Sequence, residues 1–397
     1  YSTPNGRNVA APSAWDGRTN CYRVAVLDTG VQTNHPDLKN NIWHNTADKF
    51  GNGRDDDRNG YVDDYYGVDV RTNRGPPTDK NGHGTHVAGI IAAQGSNSIG
   101  VAGTCWRGAV MAVKFLNEHG EGSVSGAIEA FNYAIDNGAK VINCSFGTDE
   151  STDALRDVIK RARKAGVLVA VAAGNDSKSI DAVPVYPASY TYGNIITVAA
   201  TTQGGSLASF SNYGSRSVDI AAPGVQINST YFGSRYAYLS GTSMATPMVS
   251  SAAGMLRAQN NKATYTQLRD ALRKSVDKAS SLSSKVVSGG RLNTARALGI
   301  IAGDGSKPSP FSTTTPAPSF TTQAESSTTF SWTQSTDNSN IVAYYVYVDG
   351  GLVGQTHDPD GRGPGLAARS VTAQIPPGAH TWYVVASDPY LNATRSS

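Results

Sequence analysis

Five short apolar runs alternate with helical patterns between residues 20 and 300, and this alternation limits the folds open to the chain. The runs lie at 22–27, 109–113, 141–144, 167–172 and 195–200. Helical patterns cover 86–93, 124–135 and 153–165. Apolar strands separated by helices indicate a parallel sheet that is covered on both faces. We therefore predict an α/β fold whose active site lies at the carboxyl ends of the strands.

The composition changes after Gly303. Residues 304–322 are rich in Ser, Thr and Pro without a period, which predicts an extended linker. Beyond it, β-rich runs at 328–333, 343–348 and 380–385 predict a small antiparallel sandwich. We thus expect an α/β domain at 1–303, a linker at 304–322 and an all-β sandwich domain at 323–397.

Charge and composition exclude several classes of partner. The formal net charge is +3 and the basic residues do not cluster, so neither nucleic acid nor a membrane surface is an expected partner. No apolar stretch approaches the roughly 18 residues of a membrane span. The low charged fraction of 16%, with 42 glycines, is typical of a secreted, loop-rich protein. The polar start without Met predicts a processed chain.

Three cysteines leave at least one thiol unpaired. Cys21 and Cys105 each precede an apolar run and are therefore the expected disulfide pair. Cys144 lies inside the apolar run at 141–144, which predicts a buried free thiol.

Ser243 lies at the start of a helix predicted to run to about residue 258. Pro247 agrees with this start, because proline is tolerated in a first helical turn. The first amides of a helix have no internal partners, so a serine there can attack a carbonyl while its own N–H stabilises the oxyanion. A helix-capping serine is the alternative.

A serine needs a base to accept its proton, and a carboxylate commonly orients that base. His83, between two glycines, is the candidate base; a metal site shared with His86 is the alternative, but no third ligand is evident. Asp28 directly follows a buried run, where a charge needs a partner, although such an Asp is commonly a turn residue. Asn175 follows another run and can donate to an oxyanion or form an Asx turn.

Four motifs carry a resemblance to the subtilisin-like serine proteases, the subtilases. They lie at 26–30, 82–86, 172–175 and 241–247, and the order Asp28, His83, Ser243 is that of subtilisin. The resemblance covers about residues 15–300. It implies an Asp28–His83–Ser243 triad, with Asn175 beside the oxyanion, in a secreted endopeptidase of broad specificity. An inactive relative kept as a binding protein and a narrow processing protease are the alternatives.

The resemblance also implies where a protein or peptide substrate would bind. Its backbone would pair between two segments, formed by Gly120, Glu121 and Gly122 on one side and Ser145, Phe146 and Gly147 on the other. The pocket for the residue before the cut would be lined by Ala172, Ala173, Gly174 and Val185. Many relatives carry glycine at the position of Val185, so we expect the valine to shorten this pocket.

Residues 55–64 include five acids and suggest a calcium site. Their spacing follows most of the EF-hand loop pattern, without a glutamate at its twelfth position. The expected ligands are the side chains of Asp55, Asp57, Asn59, Asp63 and Asp64 and the carbonyl of Tyr61. A solvated loop partly neutralised by neighbouring arginines is the alternative.

Further expectations follow from resemblance. A second calcium site would use Asp37, Asn97 and the carbonyls of Gly95, Ile99 and Val101.

The chain is expected to bind its own pro-segment before maturation and to act as a monomer. Residues 330–332, 345–350 and 377–385 resemble the core strands of a fibronectin type III module, which we interpret as a spacer rather than a module that binds an insoluble substrate or a cell surface.

Overall fold

The computed structural model describes residues 9–339, 341, 343–357 and 368–397. Parts of both predicted domains, at 1–8 and 358–367, lie outside the described residues. The described chain forms two compact units. One contains Thr19–Ala297, and the other contains Leu298–Ser397 together with Pro12–Arg18. None of the described helices is long and apolar enough to cross a membrane.

The first unit is built on a nine-stranded sheet. The strands of this unit are β1 (Val24–Asp28), β2 (Val68–Asp69), β3 (Val110–Lys114), β4 (Val141–Cys144), β5 (Leu168–Ala172), β6 (Ile195–Thr201), β7 (Ile220–Pro223), β8 (Ile227–Tyr231), β9 (Arg235–Leu239), β10 (Asp277–Lys278) and β11 (Gly290–Arg291). The sheet order is β10-β11-β7-β6-β5-β4-β1-β3-β2, and β8 and β9 form a separate hairpin. Neighbouring strands are parallel except β10 and β11, which confirms the predicted parallel sheet.

Helices cover both faces of this sheet. The α-helices that lie wholly within this unit are α2 (His83–Ala92), α3 (Val124–Asp136), α4 (Asp153–Lys164), α5 (Thr242–Gln259) and α6 (Tyr265–Lys274); α1 (Ala11–Gly17) belongs mostly to the second unit, and α7 (Thr294–Ala302) spans the division between the units. Residues of α3 and α4 share one core with Ala25 and Leu27 of β1. On the other face, α5 approaches so closely that a Cβ on Gly254 would lie 3.0 Å from Val24 Cγ2. Because both faces are covered, β1, β3 and β5 are buried throughout.

The cysteines follow the prediction. Cys21 and Cys105 form a disulfide that closes a separation of 84 residues. Cys144 ends β4 as a free, buried thiol, and burial raises its pKa well above the ordinary value. The disulfide therefore joins the chain just before β1 to the chain just before β3.

The second unit consists of two small antiparallel sheets. Its strands are β12 (Thr313–Thr315), β13 (Ser319–Thr322), β14 (Ser326–Trp332), β15 (Ala343–Val348), β16 (Gly351–His357), β17 (Ser370–Ile375), β18 (Gly378–Ser387) and β19 (Ala393–Arg395). One sheet has the order β12-β14-β17, and the other has the order β13-β18-β15-β16 with β19 paired to β18. Phe330 and Trp332 of the first sheet share a core with Tyr344 and Trp382 of the second, as a small sandwich requires.

The linker predicted at 304–322 differs from the structure. β12 pairs with β14 and β13 pairs with β18, so this segment contributes a strand to each sheet. The Thr-rich composition that suggested an extended linker is also compatible with strands, because β-branched Thr favours the extended backbone of a sheet. The partner strands decide between the two states, and they are distant in sequence.

We expect removal of the disulfide to destabilise the first unit. The double variant Cys21→Ala and Cys105→Ala frees a long loop in the unfolded chain, which should cost about 2–4 kcal/mol of unfolding free energy. Chemical denaturation followed by tryptophan fluorescence measures this loss. Cys144→Ala with the disulfide intact is the matched control for a lost cysteine, and equal stability of the double variant and the parent would contradict the expectation.

Candidate active site

Asp28, the last residue of β1, is 1% exposed and lies against His83. Its Oδ1 accepts hydrogen bonds from the Thr29 amide and from His83 Nδ1, each at 2.7 Å. Its Oδ2 is buried without a hydrogen-bond partner in the described part of the chain. A carboxylate only accepts hydrogen bonds, so Nδ1 of the neutral imidazole carries the proton and Nε2 is left as an acceptor.

Glycine permits the close approach of α2 to β1. A Cβ on Gly84 would lie 2.1 Å from the carbonyl oxygen of Gly30 and 3.1 Å from Asp28 Cβ, so no larger residue fits there. Gly82, directly before the helix, has a φ of 104°, a conformation that glycine adopts without strain. These contacts bring His83, the first residue of α2, to the end of β1. The helix predicted over 86–93 therefore begins earlier, at His83.

The pKa values of the two histidines of α2 are shifted in opposite directions. Burial lowers the pKa of His83, but the charge of Asp28 and its hydrogen bond outweigh burial, and the pKa lies above its ordinary value. Burial lowers the pKa of His86 to about 4, although its Nε2 donates to the carbonyls of Ile227 and Ala237. His86 is thus a neutral structural residue with no free Nε2 for a metal. This geometry disfavours the alternative of a metal site shared by the two histidines.

Ser243 lies in the first turn of α5, and its hydroxyl donates to the carbonyl of Ser145 at 3.1 Å. The hydroxyl of Ser145 in turn donates to the carbonyl of Ser243 at 3.1 Å. Among the described residues, no hydrogen bond joins the Ser243 hydroxyl to His83. Catalytic hydrogen bonds are commonly long or misaligned without substrate, so this arrangement is compatible with a resting serine nucleophile.

Asn175 follows β5, and its amide group is oriented by α5. Its Oδ1 accepts hydrogen bonds from the amide and the hydroxyl of Thr242, at 2.9 and 3.0 Å. A Cβ built on Gly241 would lie 3.6 Å from Asn175 Nδ2 and also 3.6 Å from the Ser243 amide nitrogen. Two N–H groups therefore border the space beside Gly241, where an oxyanion could accept from both.

Sequence reasoning missed residues that support this site. Asn212 donates to the carbonyl of Ala173 at 2.9 Å and accepts from the amide of Asp176 at 2.9 Å, which holds the loop around Asn175. Asp79 and Thr29 connect β1 to the start of α2. The signal for Asp79 was an acid shortly before a helix start, a common capping pattern.

The predicted substrate segments line a common cavity of about 320 Å³. From the predicted set it includes Gly120, Glu121, Gly122, Phe146 and Gly147. Ser145 does not line this cavity and instead exchanges hydrogen bonds with Ser243. Ala172 and Ala173 are buried at the end of β5, and Gly174 follows them.

Val185 is 6% exposed and packs directly on Gly147, where an added Cβ would lie 2.8 Å from Val185 Cγ1. Its branched side chain therefore fills space next to one of the predicted substrate segments. A glycine at this position would leave that space open.

Part of the acidic loop at 55–64 converges around two amide groups. Nδ2 of Asn45 donates to Asp57 at 2.8 Å and to Asp64 at 2.7 Å. Nδ2 of Asn59 donates to the same two carboxylates, at 3.1 and 2.9 Å. Burial raises the pKa of Asp64 to about 6 in spite of these donors and of Tyr133. Asp57, Asn59 and Asp64 thus form an acidic pocket. None of the ion pairs found among the described residues joins an arginine or lysine to Asp57 or Asp64.

The other predicted ligands of this loop have different partners. Asp63 forms an ion pair with Arg74 at 2.7 Å and accepts from the Gly53 amide. Asp55 accepts from the amides of Asn59 and Gly60, at 3.0 and 2.9 Å, and so supports the turn itself. The hydroxyl of Tyr61 donates to Glu129 Oε1 at 3.3 Å.

The second predicted calcium segment is brought together around Asp37, which is fully buried. Asn97 Nδ2 donates to Asp37 Oδ1 at 2.6 Å, and the Val101 amide donates to Oδ2 at 2.9 Å. The Ile99 amide donates to Asn97 Oδ1 at 3.2 Å. Gly95 packs under Trp106, where a Cβ would lie 2.1 Å from the ring.

One further acidic group was not predicted. Asp304, Asp337 and Asp388 of the second unit each place a carboxylate oxygen within 4.8 Å of the others, and no other group of this kind lies in the described chain. Its members are widely separated in sequence, which is why no local spacing pattern revealed it.

Comparison with known proteins agrees with this geometry. A model of the subtilase family matches residues 20–299. The chain is 42% identical to thermitase from Thermoactinomyces vulgaris over 275 residues, which is 69% of this chain and 88% of that protein. It is 39% identical to a thermophilic serine proteinase from Bacillus sp. (strain AK1), over 69% of this chain and 61% of that protein.

A solved structure shares the fold. The crystal structure of a cold adapted subtilisin-like serine proteinase superimposes with a TM-score of 0.57 at 32% identity, over 70% of this chain and 90% of that chain. The match of the family model covers the sheet with Asp28, helix α2 with His83 and helix α5 with Ser243. The chain therefore belongs to the subtilase family of serine endopeptidases.

Proposed function

We propose that this subtilase cleaves peptide bonds with Ser243 as nucleophile, His83 as general base and Asp28 as the residue that orients the imidazole. The 2.7 Å hydrogen bond between Asp28 Oδ1 and His83 Nδ1 carries this proposal. It directs Nε2 outward as the proton acceptor and stabilises the imidazolium that forms during reaction. The raised pKa of His83 has the same origin, because a neighbouring carboxylate favours the charged ring.

The reaction proceeds in two halves. Ser243 Oγ attacks the scissile carbonyl and its proton moves to His83 Nε2, which then protonates the leaving amine. The acyl group remains on Ser243 until water attacks it while His83 Nε2 takes the water proton. That proton then passes to Ser243 Oγ as the bond to the acyl carbon breaks and the carboxylic acid product leaves. In both halves the oxyanion accepts hydrogen bonds from the Ser243 amide and Asn175 Nδ2, the two donors beside Gly241.

We propose that substrate backbone pairs between the segments at 120–122 and 145–147. Both segments border the same cavity, and an extended peptide gains main-chain hydrogen bonds by adding as a strand. The pocket for the residue before the cut would be formed by Ala172, Ala173, Gly174 and Val185. Because Val185 already fills space against Gly147, small and medium side chains are the favoured occupants.

We propose that calcium stabilises the first unit at two places. The pocket of Asp57, Asn59 and Asp64 supports this, because two carboxylates converge on shared amide donors and a hard cation binds carboxylate oxygens. Asn59, whose Nδ2 now faces the carboxylates, would turn its amide to present Oδ1 to the ion. Asp55 and the carbonyl of Tyr61 would complete this ligand set, whereas Asp63 is neutralised by Arg74. The second set would be Asp37 and Asn97, with the carbonyls of Gly95, Ile99 and Val101. A cation bound at either place would tie together loops that lie outside the sheet.

We also propose secretion and maturation from a precursor. The Cys21–Cys105 disulfide supports an oxidising compartment, since such bonds are rare in the cytosol. The proposed partners are protein or peptide substrates and the chain's own pro-segment, with the mature protein acting as a monomer. The second unit is proposed to be a fibronectin type III-like spacer, which its two small sheets and shared core support.

Replacement of the nucleophile tests the mechanism. Ser243→Ala should lower kcat by about 10⁶-fold, because the hydroxyl that forms the acyl-enzyme is gone. A fluorophosphonate that reacts with activated serines should label the parent and leave this variant unlabelled. Ser240→Ala, at an exposed serine nearby, is the matched control and should keep labelling and activity. Retained proteolysis in Ser243→Ala would refute the proposed triad.

Chelation tests the calcium sites. If calcium is bound at about 100 times its Kd, its removal should lower Tm by roughly 5–10 °C, because a ligand at that level contributes about 2.7 kcal/mol. Differential scanning calorimetry with and without chelator measures the shift, with Ser243→Ala as background to prevent self-digestion. Asp64→Asn should reduce the chelator effect, whereas Asp157→Asn, at an exposed acid of α4, should not. An unchanged Tm on chelation would contradict the proposal.

Val185 provides a test of specificity. Val185→Gly should open the pocket and raise kcat/KM for peptides with Phe or Tyr before the cut by about 10-fold or more relative to those with Ala. Val183→Gly, two positions earlier and 53% exposed, is the control for added backbone freedom. Cleavage of a peptide library by mass spectrometry measures the preference, and an identical profile in Val185→Gly and the parent would exclude Val185 from the pocket.

A further inference from the structure

A second buried carboxylate lies beside the Asp28–His83 pair. Asp79 is 5% exposed and forms no ion pair with the cationic residues of the described chain. Its two oxygens accept five hydrogen bonds from four neighbouring residues, three from main-chain amides and two from buried threonine hydroxyls. The donors are the Thr29 hydroxyl at 3.0 Å, the Asn81 amide at 2.9 Å, the Gly82 amide at 2.9 Å, and the Thr85 amide and hydroxyl at 3.0 and 2.6 Å.

These bonds fix the start of α2. The first amides of a helix lack internal partners, and Gly82, at the N-cap, has no side chain to supply one. Asp79 takes this role from outside the helix by accepting from the Gly82 and Thr85 amides. The amide of Gly84 donates instead to the Thr29 hydroxyl at 2.9 Å. The backbone that carries His83 is thus held on both sides.

Thr29 joins this cap to Asp28. Its hydroxyl accepts from Gly84 and donates to Asp79, which determines the orientation of the hydroxyl completely. Its amide donates to Asp28 Oδ1, the same oxygen that binds His83. A continuous set of hydrogen bonds therefore runs from Asp79 through Thr29 to Asp28. Asp79 also holds the first turn of α2, which carries His83.

We propose that Asp79 is a positioning residue, which holds His83 on Asp28 by fixing Thr29 and the first turn of α2 at the same time. This inference rests on the proposed role of His83 as general base. Loss of Asp79 would let α2 and β1 move independently, and a misplacement of about 1 Å at a catalytic group can cost on the order of 100-fold in rate.

The charge of Asp79 also acts on His83. Burial lowers the pKa of His83, and the negative charges of Asp28 and Asp79 both raise it. From β3, Lys114 faces the same region and donates to the carbonyls of Thr29 and Leu116, with a pKa lowered by burial. His86 faces His83 from the next turn of α2 and is neutral above its pKa of about 4. Removal of the Asp79 charge should therefore move the pKa of His83 downward.

Asp79→Asn separates positioning from simple stabilisation. This variant keeps the size of the side chain but loses its charge and places an amide donor among N–H and O–H donors. We expect kcat to fall about 10- to 100-fold with KM nearly unchanged, and the acid limb of kcat/KM against pH to move to lower pH. The direction follows because His83 must be neutral to act as a base, and its protonated form is less stable without Asp79.

A matched control is available in Asp181. This acid also accepts main-chain hydrogen bonds, from the amides of Arg216 and Ser217, but lies on a different loop. Asp181→Asn should lower Tm without a change of kcat or of the acid limb. If Asp79→Asn folds and shows only a lower Tm, like Asp181→Asn, the positioning role is refuted.

The rate of fluorophosphonate labelling at Ser243 separates this inference from the proposed mechanism. Slow labelling of Asp79→Asn beside fast labelling of the parent supports positioning, whereas equal rates overturn it with the triad intact. Absence of labelling in the parent would instead overturn the triad. Should Asp79→Asn fail to fold, Thr29→Val removes only the bridging hydroxyl. Its kcat should fall by a smaller factor, and an unchanged kcat would overturn the inference.

Discussion

The close approach of α2 to the end of β1 is the contact on which the catalytic geometry depends. A single carbon added at Gly84 would collide with the carbonyl of Gly30, so the backbone of α2 lies directly against the backbone that follows β1, with no side chain between them. This approach lets a short histidine side chain reach a carboxylate at the end of a buried strand. The buried sheet supplies the rigidity, because β1 is covered on both faces and cannot shift without disturbing the core.

The site as a whole combines elements that end at one edge of the sheet. β1 delivers Asp28, the segment after β5 delivers Asn175, and α5 begins there with Ser243. Parallel strands make this possible, because all of their carboxyl ends lie at the same edge. The start of α5 thus contributes two groups to the candidate site. It carries the Ser243 hydroxyl, and because the first amides of a helix lack internal partners, it leaves the Ser243 amide free to donate.

Local motifs allowed the sheet and the candidate site to be predicted, whereas features that depend on distant partners were missed. Ser243, His83 and Asp28 each lie in a short pattern whose chemistry is visible from adjacent residues. The ion pair of Asp63 with Arg74, in contrast, joins residues 11 positions apart and was not predicted from the loop pattern. The strands at 313–322 were missed for the same reason, because their partners β14 and β18 lie beyond the segment itself.

The burial of Cys144 has a consequence for disulfide formation. Three cysteines permit three pairings, and thiol–disulfide exchange requires an accessible thiolate. Once β4 is enclosed, the Cys144 thiol is both inaccessible and held protonated by its raised pKa, so it cannot attack the Cys21–Cys105 bond. An odd number of cysteines is thus compatible with one lasting pairing, provided that the sheet closes before the cysteines are oxidised.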